Sequence, residues 1–271
     1  VYQYDINDNS WNQIGNTLQG SRYNDRFGRG LSLSSNGKIF AVGGEGGNSS
    51  NSIDFVKVFE YSEVDTSWNI IGQTINAYGH MSQLSSDGKF LAILDYYYDN
   101  SNGGKGRISF FNYNITNNNW DSFGSDSSSN QLHSPSNYEQ HSKISISDDG
   151  KVIAWAGFYN DHSTNHPDGY IGNEGEIIVY KYNESQGSWE TYGNQLKGFQ
   201  FAMHFGYNVE LSSDGKVLIV TARSWDAGGN NAESRNDNNG RVFLYKYNEI
   251  TNEWTLINTI SGNTGDRLGS T

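Results

Sequence analysis

Six histidines, His80, His133, His141, His162, His166 and His204, stand in a chain of 271 residues that has no cysteine. Without thiols there is no disulfide, thiolate metal site or cysteine nucleophile. Acid–base and metal chemistry therefore fall to imidazoles and to the 30 carboxylates. His162 and His166, spaced i and i+4 and flanked by Asp161 and Asp168, offer nitrogen and oxygen ligands of a kind a metal accepts. A loop rich in Asn, Ser and His produces that spacing often, however, and no helical period fixes it. The acidic stretch with Asp226, Glu233 and Asp237 carries oxygens suited to calcium but lacks the spacing of a recognised calcium loop. A solvated acidic loop is the plainer reading, so no resident cofactor is expected and folding is expected not to need calcium. No Ser/His/Asp order, paired-carboxylate motif or phosphate-binding loop stands out, and a non-enzyme is the first expectation.

Aromatic residues cluster in the same connections: Tyr96, Tyr97 and Tyr98 between Asp95 and Asp99, Phe158 and Tyr159, Phe199 and Phe201, Trp225 beside Asp226. Rings next to carboxylates suit stacking on sugars with hydrogen bonds to their hydroxyls, and they suit protein interfaces equally well. Packing beneath long loops accounts for such residues without any ligand. The candidate ligand-binding set is Tyr96, Tyr97, Tyr98, Tyr159, His162, His166, Trp225 and Asp226.

The elements that must position these residues repeat. Phe205–Ala222 has counterparts at 27–43, 78–94 and 140–156, each with Asn-Gly-Lys or Asp-Gly-Lys at its centre (Gly37, Gly88, Gly150, Gly215). Between apolar runs this reads as a hairpin with a two-residue type I′ turn. Leu33, Leu84, Ile146 and Leu211 before the turn, and Ala41, Ala92, Ala154 and Ile219 after it, hold alternating positions expected to be buried. The second half of the repeat is a Tyr followed seven residues later by a Trp: Tyr4 and Trp11, Tyr61 and Trp68, Tyr113 and Trp120, Tyr182 and Trp189, Tyr247 and Trp254. Their fixed register predicts packing between repeats. Each repeat thus reads as four antiparallel strands, a to d, and the fold as an all-β propeller. One domain over 1–271 is expected, with a half blade at 1–26, blades at 27–77, 78–139, 140–204 and 205–264, and a further strand a opening at 265–271. That is five blade positions with one split.

Phe27-Gly28 and Phe205-Gly206 at the head of strand a resemble the FG-GAP repeats of integrin-α-type propellers. So do the small residues ending strand b (Gly43-Gly44, Ala156-Gly157) and Gly106, Gly175 and Gly240 opening strand c. The tandem Trp-containing versions of microbial and algal surface proteins are more similar still. The resemblance implies an extracellular structural or adhesive module. It departs in the a–b turn, which is too short for the calcium cage of the integrin type.

Loop length separates two faces. The a–b and c–d turns are constant, whereas the b–c and d–a connections vary, and binding residues concentrate on loops carried by a rigid scaffold. A net charge of −12 repels nucleic acid and anionic membranes. Sequons at Asn48, Asn114 and Asn183 make glycosylation sites, two of them in equivalent c–d turns. The reading is an extracellular or cell-surface module, a subunit of a fibre, filament or coat. Its partners would be its own copies or neighbouring repeat units, glycans or surface proteins. The competing reading is a secreted carbohydrate-active propeller enzyme, a glycosidase or lyase, using Asp and His residues of the variable face.

Overall fold

The structure, a computed structural model, describes residues 1–21, 23–45, 54–77, 81–99, 105–123, 131–133, 143–159, 172–200, 202–227 and 238–270. Among them are twenty strands and no helix. They pack as two compact units, Val1–Ile93 with Phe111–Ser122, and Leu94–Phe110 with Phe123–Thr271. The first unit opens with a two-stranded sheet, β1 (Tyr2–Asp5) and β2 (Ser10–Gln13). A four-stranded meander follows, β3 (Leu31–Leu33), β4 (Ile39–Gly44), β5 (Phe55–Ser62) and β6 (Ser67–Asn76). The next sheet, whose strands contribute residues to both units, is β7 (Met81–Leu84), β8 (Phe90–Asp99), β9 (Lys105–Asn114) and β10 (Asn119–Ser122), with β11 (Gln131–His133) also on β9. The second unit adds β12 (Lys143–Ile146), β13 (Val152–Gly157), β14 (Glu176–Asn183) and β15 (Ser188–Thr191), with β16 (Leu196–Lys197) on β14. Its other meander is β17 (Phe205–Leu211), β18 (Val217–Ala222), β19 (Arg241–Asn248) and β20 (Glu253–Ser261). Each of the four larger sheets contains the four-stranded antiparallel meander expected of a β-propeller blade.

The a–b turns are real but are not the two-residue type I′ turns expected. Positive φ occurs only at the glycines, Gly37 (69°), Gly88 (71°), Gly150 (71°) and Gly215 (66°). Ser34 N donates to Ile39 O, and Gly37 N to Ser34 O, so four residues lie between the last paired positions. The side chains explain the longer loop. Ser34 Oγ accepts from Ile39 N while Asn36 Oδ1 accepts from Lys38 N, and Ser85/Asp87, Ser147/Asp149 and Ser212/Asp214 repeat the pattern. Short polar side chains replace backbone partners here. In three of the four copies the Lys after the glycine meets a glutamate two residues past the strand-c Tyr, Lys38 with Glu63, Lys151 with Glu184 and Lys216 with Glu249. These pairs are exposed and contribute little.

Tyr and Trp of each repeat are cross-strand partners, from Tyr4↔Trp11 to Tyr247↔Trp254, with ring centroids 5.2–5.5 Å apart. The indole then reaches the preceding sheet. Trp68 Nε1 donates to Ile14 O (2.9 Å), Trp120 to Ile71 O (3.1 Å) and Trp254 to Tyr192 O (2.8 Å). Beside each, the Trp backbone N donates to a side-chain oxygen of Asn16, Gln73 or Asn194. The glycine next to the accepting carbonyl has positive φ, and a Cβ there would sit 2.5 Å from Trp68 at Gly15, 2.5 Å from Trp120 at Gly72 and 2.8 Å from Trp254 at Gly193. Glycine is required on both counts.

Burial corrects part of the alternating pattern. Leu84 and Leu211 are buried as expected, with Ala41, Ala92 and Ala154, but Ile146 is only half-buried and Leu33 and Ile219 are exposed. Leu84 packs with Ile39 and Ala41 of β4, and Leu211 with Val152 and Ala154 of β13. Each is covered by strand b of the preceding sheet. In the first unit no described strand b precedes β3, so Leu33 lacks that cover.

Replacing Gly72 by Ala is expected to destabilise the chain by about 2–4 kcal/mol, the sum of left-handed strain and overpacking. Leu211→Ala is expected to cost about 2–5 kcal/mol, and Leu33→Ala less than about 0.5 kcal/mol. Urea denaturation of the three variants against wild type checks the order.

Candidate functional site

In the second unit, the ends of β13, β17 and β18 bring Phe158, Tyr159, His204, Tyr207, Arg223 and Ser224 together. Phe158 and Tyr159 follow the small residues Ala156-Gly157 that end strand b, and Phe158 is buried. His204 precedes β17 and is held by its backbone, its N donating to Asn173 O and its O accepting from Tyr207 N. Its ring lies edge-on to Tyr159, with centroids 5.2 Å apart. Its Nδ1 is 3.0 Å from Ser224 Oγ. Next to it, Arg223 donates to Tyr207 Oη at 3.0 Å and lies over that ring at 4.3 Å.

Burial, and then the positive charge of Arg223, pull the His204 imidazole down to about 4. Both disfavour the imidazolium. At neutral pH the ring is therefore uncharged, and the Ser224 contact is satisfied by either tautomer. Either Nδ1 accepts the serine proton, or Nδ1–H donates to Oγ and leaves Nε2 as an unprotonated base. The arrangement combines a neutral base, a hydroxyl, a guanidinium and tyrosine rings in a partly open setting. It can polarise a carbonyl, take a proton from water and stack on a sugar ring.

The positive φ of His204 (53°) is not itself a mark of function, because Arg26 (45°) and Arg267 (49°) share it ahead of their strand-a segments. It is a repeat geometry, here occupied by an imidazole.

Of the residues expected to bind ligand, Tyr159 lies in this cluster. Trp225 and Asp226 follow Ser224 but serve the loop. Arg241 stacks on Trp225 at 4.4 Å, and buried Asp226 accepts from Asn238 N at 2.6 Å while its backbone is bracketed by Gln200. Tyr96, Tyr97 and Tyr98 lie in β8. His162 and His166 lie outside the described residues, as do His80, His141 and the sequon Asn48. Asn114 and Asn183 donate their amides to Asp121 and Glu190 across the c–d hairpin. Among the described residues no group of three or more His, Asp or Glu is placed to hold a metal. Sequence reasoning singled out Tyr159 and noted His204 but missed Ser224, Arg223 and Tyr207. Their shared signal is position, since Arg223 and Ser224 immediately follow strand b and Tyr207 lies in strand a.

No protein family and no curated protein matches the chain. Solved structures do. A protein from Lactobacillus plantarum matches with a TM-score of 0.55 at 11% identity, over 98% of this chain and 63% of that one. A Bacteroides fragilis protein provisionally described as a 6-phosphogluconolactonase matches with a TM-score of 0.49 at 16% identity, over 86% and 55%. The Pseudomonas aeruginosa periplasmic gluconolactonase matches with a TM-score of 0.44 at 13% identity, over 96% and 78%. The chain spans less than two thirds of the length of the first two.

These matches correct the FG-GAP expectation, and with it the expectation of a non-enzymatic fibre, filament or coat subunit. Two of the three bear lactonase names, and none of the three is described as an integrin-type repeat. The physical reason is that Phe-Gly at the head of strand a is a packing device. Gly206 takes φ of 90° with Phe205 against the backbone of Gly175, a need that is not particular to integrins. No described helix is long and apolar enough to cross a membrane.

With a folded value near 4 and an unfolded value near 6.5, the unfolded chain binds the extra proton between those limits. The stability due to neutral His204 is thus full above about pH 6.5 and is lost as pH falls toward about 4. His204→Asn is expected to flatten the stability-versus-pH curve in that window, read by urea denaturation at several pH values. A curve unchanged from wild type would mean that the ring titrates normally.

Proposed function

We propose that this chain is the propeller body of a hydrolase acting on sugar derivatives with an ester or lactone carbonyl, with His204 as the base. The observation that carries this reading is the neutral His204 in contact with Ser224, with the Arg223 guanidinium on the adjoining residue. In this reading His204 takes a proton from water as the water oxygen bonds to the carbonyl carbon. Arg223, with one of its five N–H donors on Tyr207 among the described residues, faces the developing oxyanion. The oxyanion then re-forms the carbonyl, the single bond from that carbon to the ester or lactone oxygen breaks, and the proton on His204 passes to the departing alkoxide. Tyr159 supplies a ring face for the sugar.

The electrostatics favour this over glycoside cleavage. A glycosidase needs a protonated acid at the leaving oxygen, usually one of two carboxyl groups, and an imidazole with a value near 4 is unprotonated at neutral pH. An activated carbonyl needs only a base and an oxyanion donor. The reading also sets the protein outside the cytoplasm, supported by Asn/Ser-rich connections and by sequons in the equivalent exposed turns at Asn114 and Asn183.

The test is hydrolysis of a panel of sugar lactones beside aryl glycosides and uronate polymers. Lactone opening is expected, with His204→Asn reducing kcat by about 100-fold or more and Arg223→Gln reducing kcat/KM. Turnover of glycosides alone, or lactone turnover indifferent to His204→Asn, would overturn the assignment.

A further inference from the structure

One place in the repeat, opposite the last residue of strand b, is filled differently in each sheet. By register Phe55 lies across from Gly44, Glu176 from Gly157 and Arg241 from Ala222. Arg107 holds the same place in its sheet, following Gly106 as Arg241 follows Gly240. Phe55 stacks on Phe27, Glu176 accepts from Gln195 Nε2, and Arg107 lies 3.5 Å from Asp95. Asp95 stands three residues after Ala92, as Ala222 does after Ile219. The last sheet therefore keeps the arginine and replaces its acid by a methyl group.

What Arg241 has instead is rings and one hydroxyl. Its guanidinium lies over Trp225 at 4.4 Å and over Phe243 at 5.5 Å, and its Nη2 donates to Thr259 Oγ1 at 2.9 Å. Nε is buried without a partner, and among the described residues no carboxylate pairs with the side chain. The Nη1 hydrogens and the second Nη2 hydrogen are thus unspent there, on a fork whose plane the rings hold. Ring faces return only part of the hydration that a half-buried cation gives up. Phe199, just past β16, adjoins this group. It is 64% exposed and stands edge-on to Phe243 with centroids 6.2 Å apart, so most of its ring is left to solvent.

We infer that Arg241, seated on Trp225, and Phe199 form a subsite for a uronate residue of a glycan. A carboxylate meets the guanidinium edge through two parallel N–H···O bonds. Its single charge suits one guanidinium in a chain of net charge −12, which repels a dianionic phosphate more strongly. The pyranose ring bearing that carboxylate lies on the open Phe199 ring. The ligand supplies the acid that Asp95 supplies to Arg107. Trp225 directly follows Ser224, so the subsite shares a loop with the His204 cluster.

The probe is trigalacturonate, titrated calorimetrically into the 271-residue chain at low ionic strength, with maltotriose as its neutral counterpart. Saturable one-to-one binding of the uronate is expected, weakening as salt is added, with none for maltotriose. Arg241→Gln is expected to weaken it by about tenfold or more, and Arg241→Lys, which keeps the charge and loses the fork, by less. Phe199→Ala removes an exposed ring, leaves the core untouched and is expected to weaken binding about threefold. No binding of trigalacturonate, equal binding of maltotriose, or tighter binding of glucose 6-phosphate or benzoate would each overturn the inference. So would an affinity indifferent to Arg241→Gln or, should that variant not fold, to Phe199→Ala. Because binding is read without turnover, the result stands apart from the hydrolase reading.

Discussion

Three of the sheets are tied to the one before by the same contact, an indole N–H donating into a carbonyl of the preceding sheet, beside a glycine that has no room for a side chain. An N–H···O=C bond alone is worth about 1 kcal/mol net. Here it is combined with burial of the indole, the Tyr ring across the strand and a second bond from the Trp backbone to Asn16, Gln73 or Asn194. Because the glycine excludes every alternative at that position, the contact also fixes register. A sheet shifted by one residue would put a Cβ into the indole. That explains why the Tyr-to-Trp spacing is constant while the connections elsewhere vary.

Much of this was legible in the residues. Two-residue periodicity and the recurring Gly-Lys turn revealed strands, and their recurrence revealed blades, because both signals are local. The turn type was misjudged since a type I′ turn and a Ser-capped four-residue turn share the same Asp-Gly. The difference lies in whether Ser34, two positions earlier, bonds back across the turn. Leu33 was misjudged for a different reason. Its sequence environment matches that of Leu211, and only the presence or absence of a preceding strand b separates them. The candidate site was least legible, since Tyr159, His204 and Ser224 are far apart in the chain and meet only where β13 packs against the paired β17 and β18 of the next sheet.

The comparison of His204 with Arg26 and Arg267 shows how such a fold can acquire a site. The backbone at these positions is the same left-handed turn into strand a. The scaffold demands the conformation and leaves the side chain unspecified. An imidazole placed there inherits a rigid mount, a hydroxyl from the loop after strand b and the aromatic residues that end the neighbouring strand b. The fold's repetition thus supplies positioning that a site built on loops alone would have to create anew.

The direction of the tryptophan contact has a further consequence for how the chain is made. The indoles of Trp68, Trp120 and Trp254 each reach back to the sheet that precedes them in sequence, so the acceptor for those blades is already synthesised when their own fourth strand emerges. Coupling is between nearest neighbours, as in a linear array, and it is polar. Such a chain can assemble vectorially on the ribosome, each blade setting the template for the next. A lesion at one glycine then propagates toward the C-terminus and leaves the earlier blades intact.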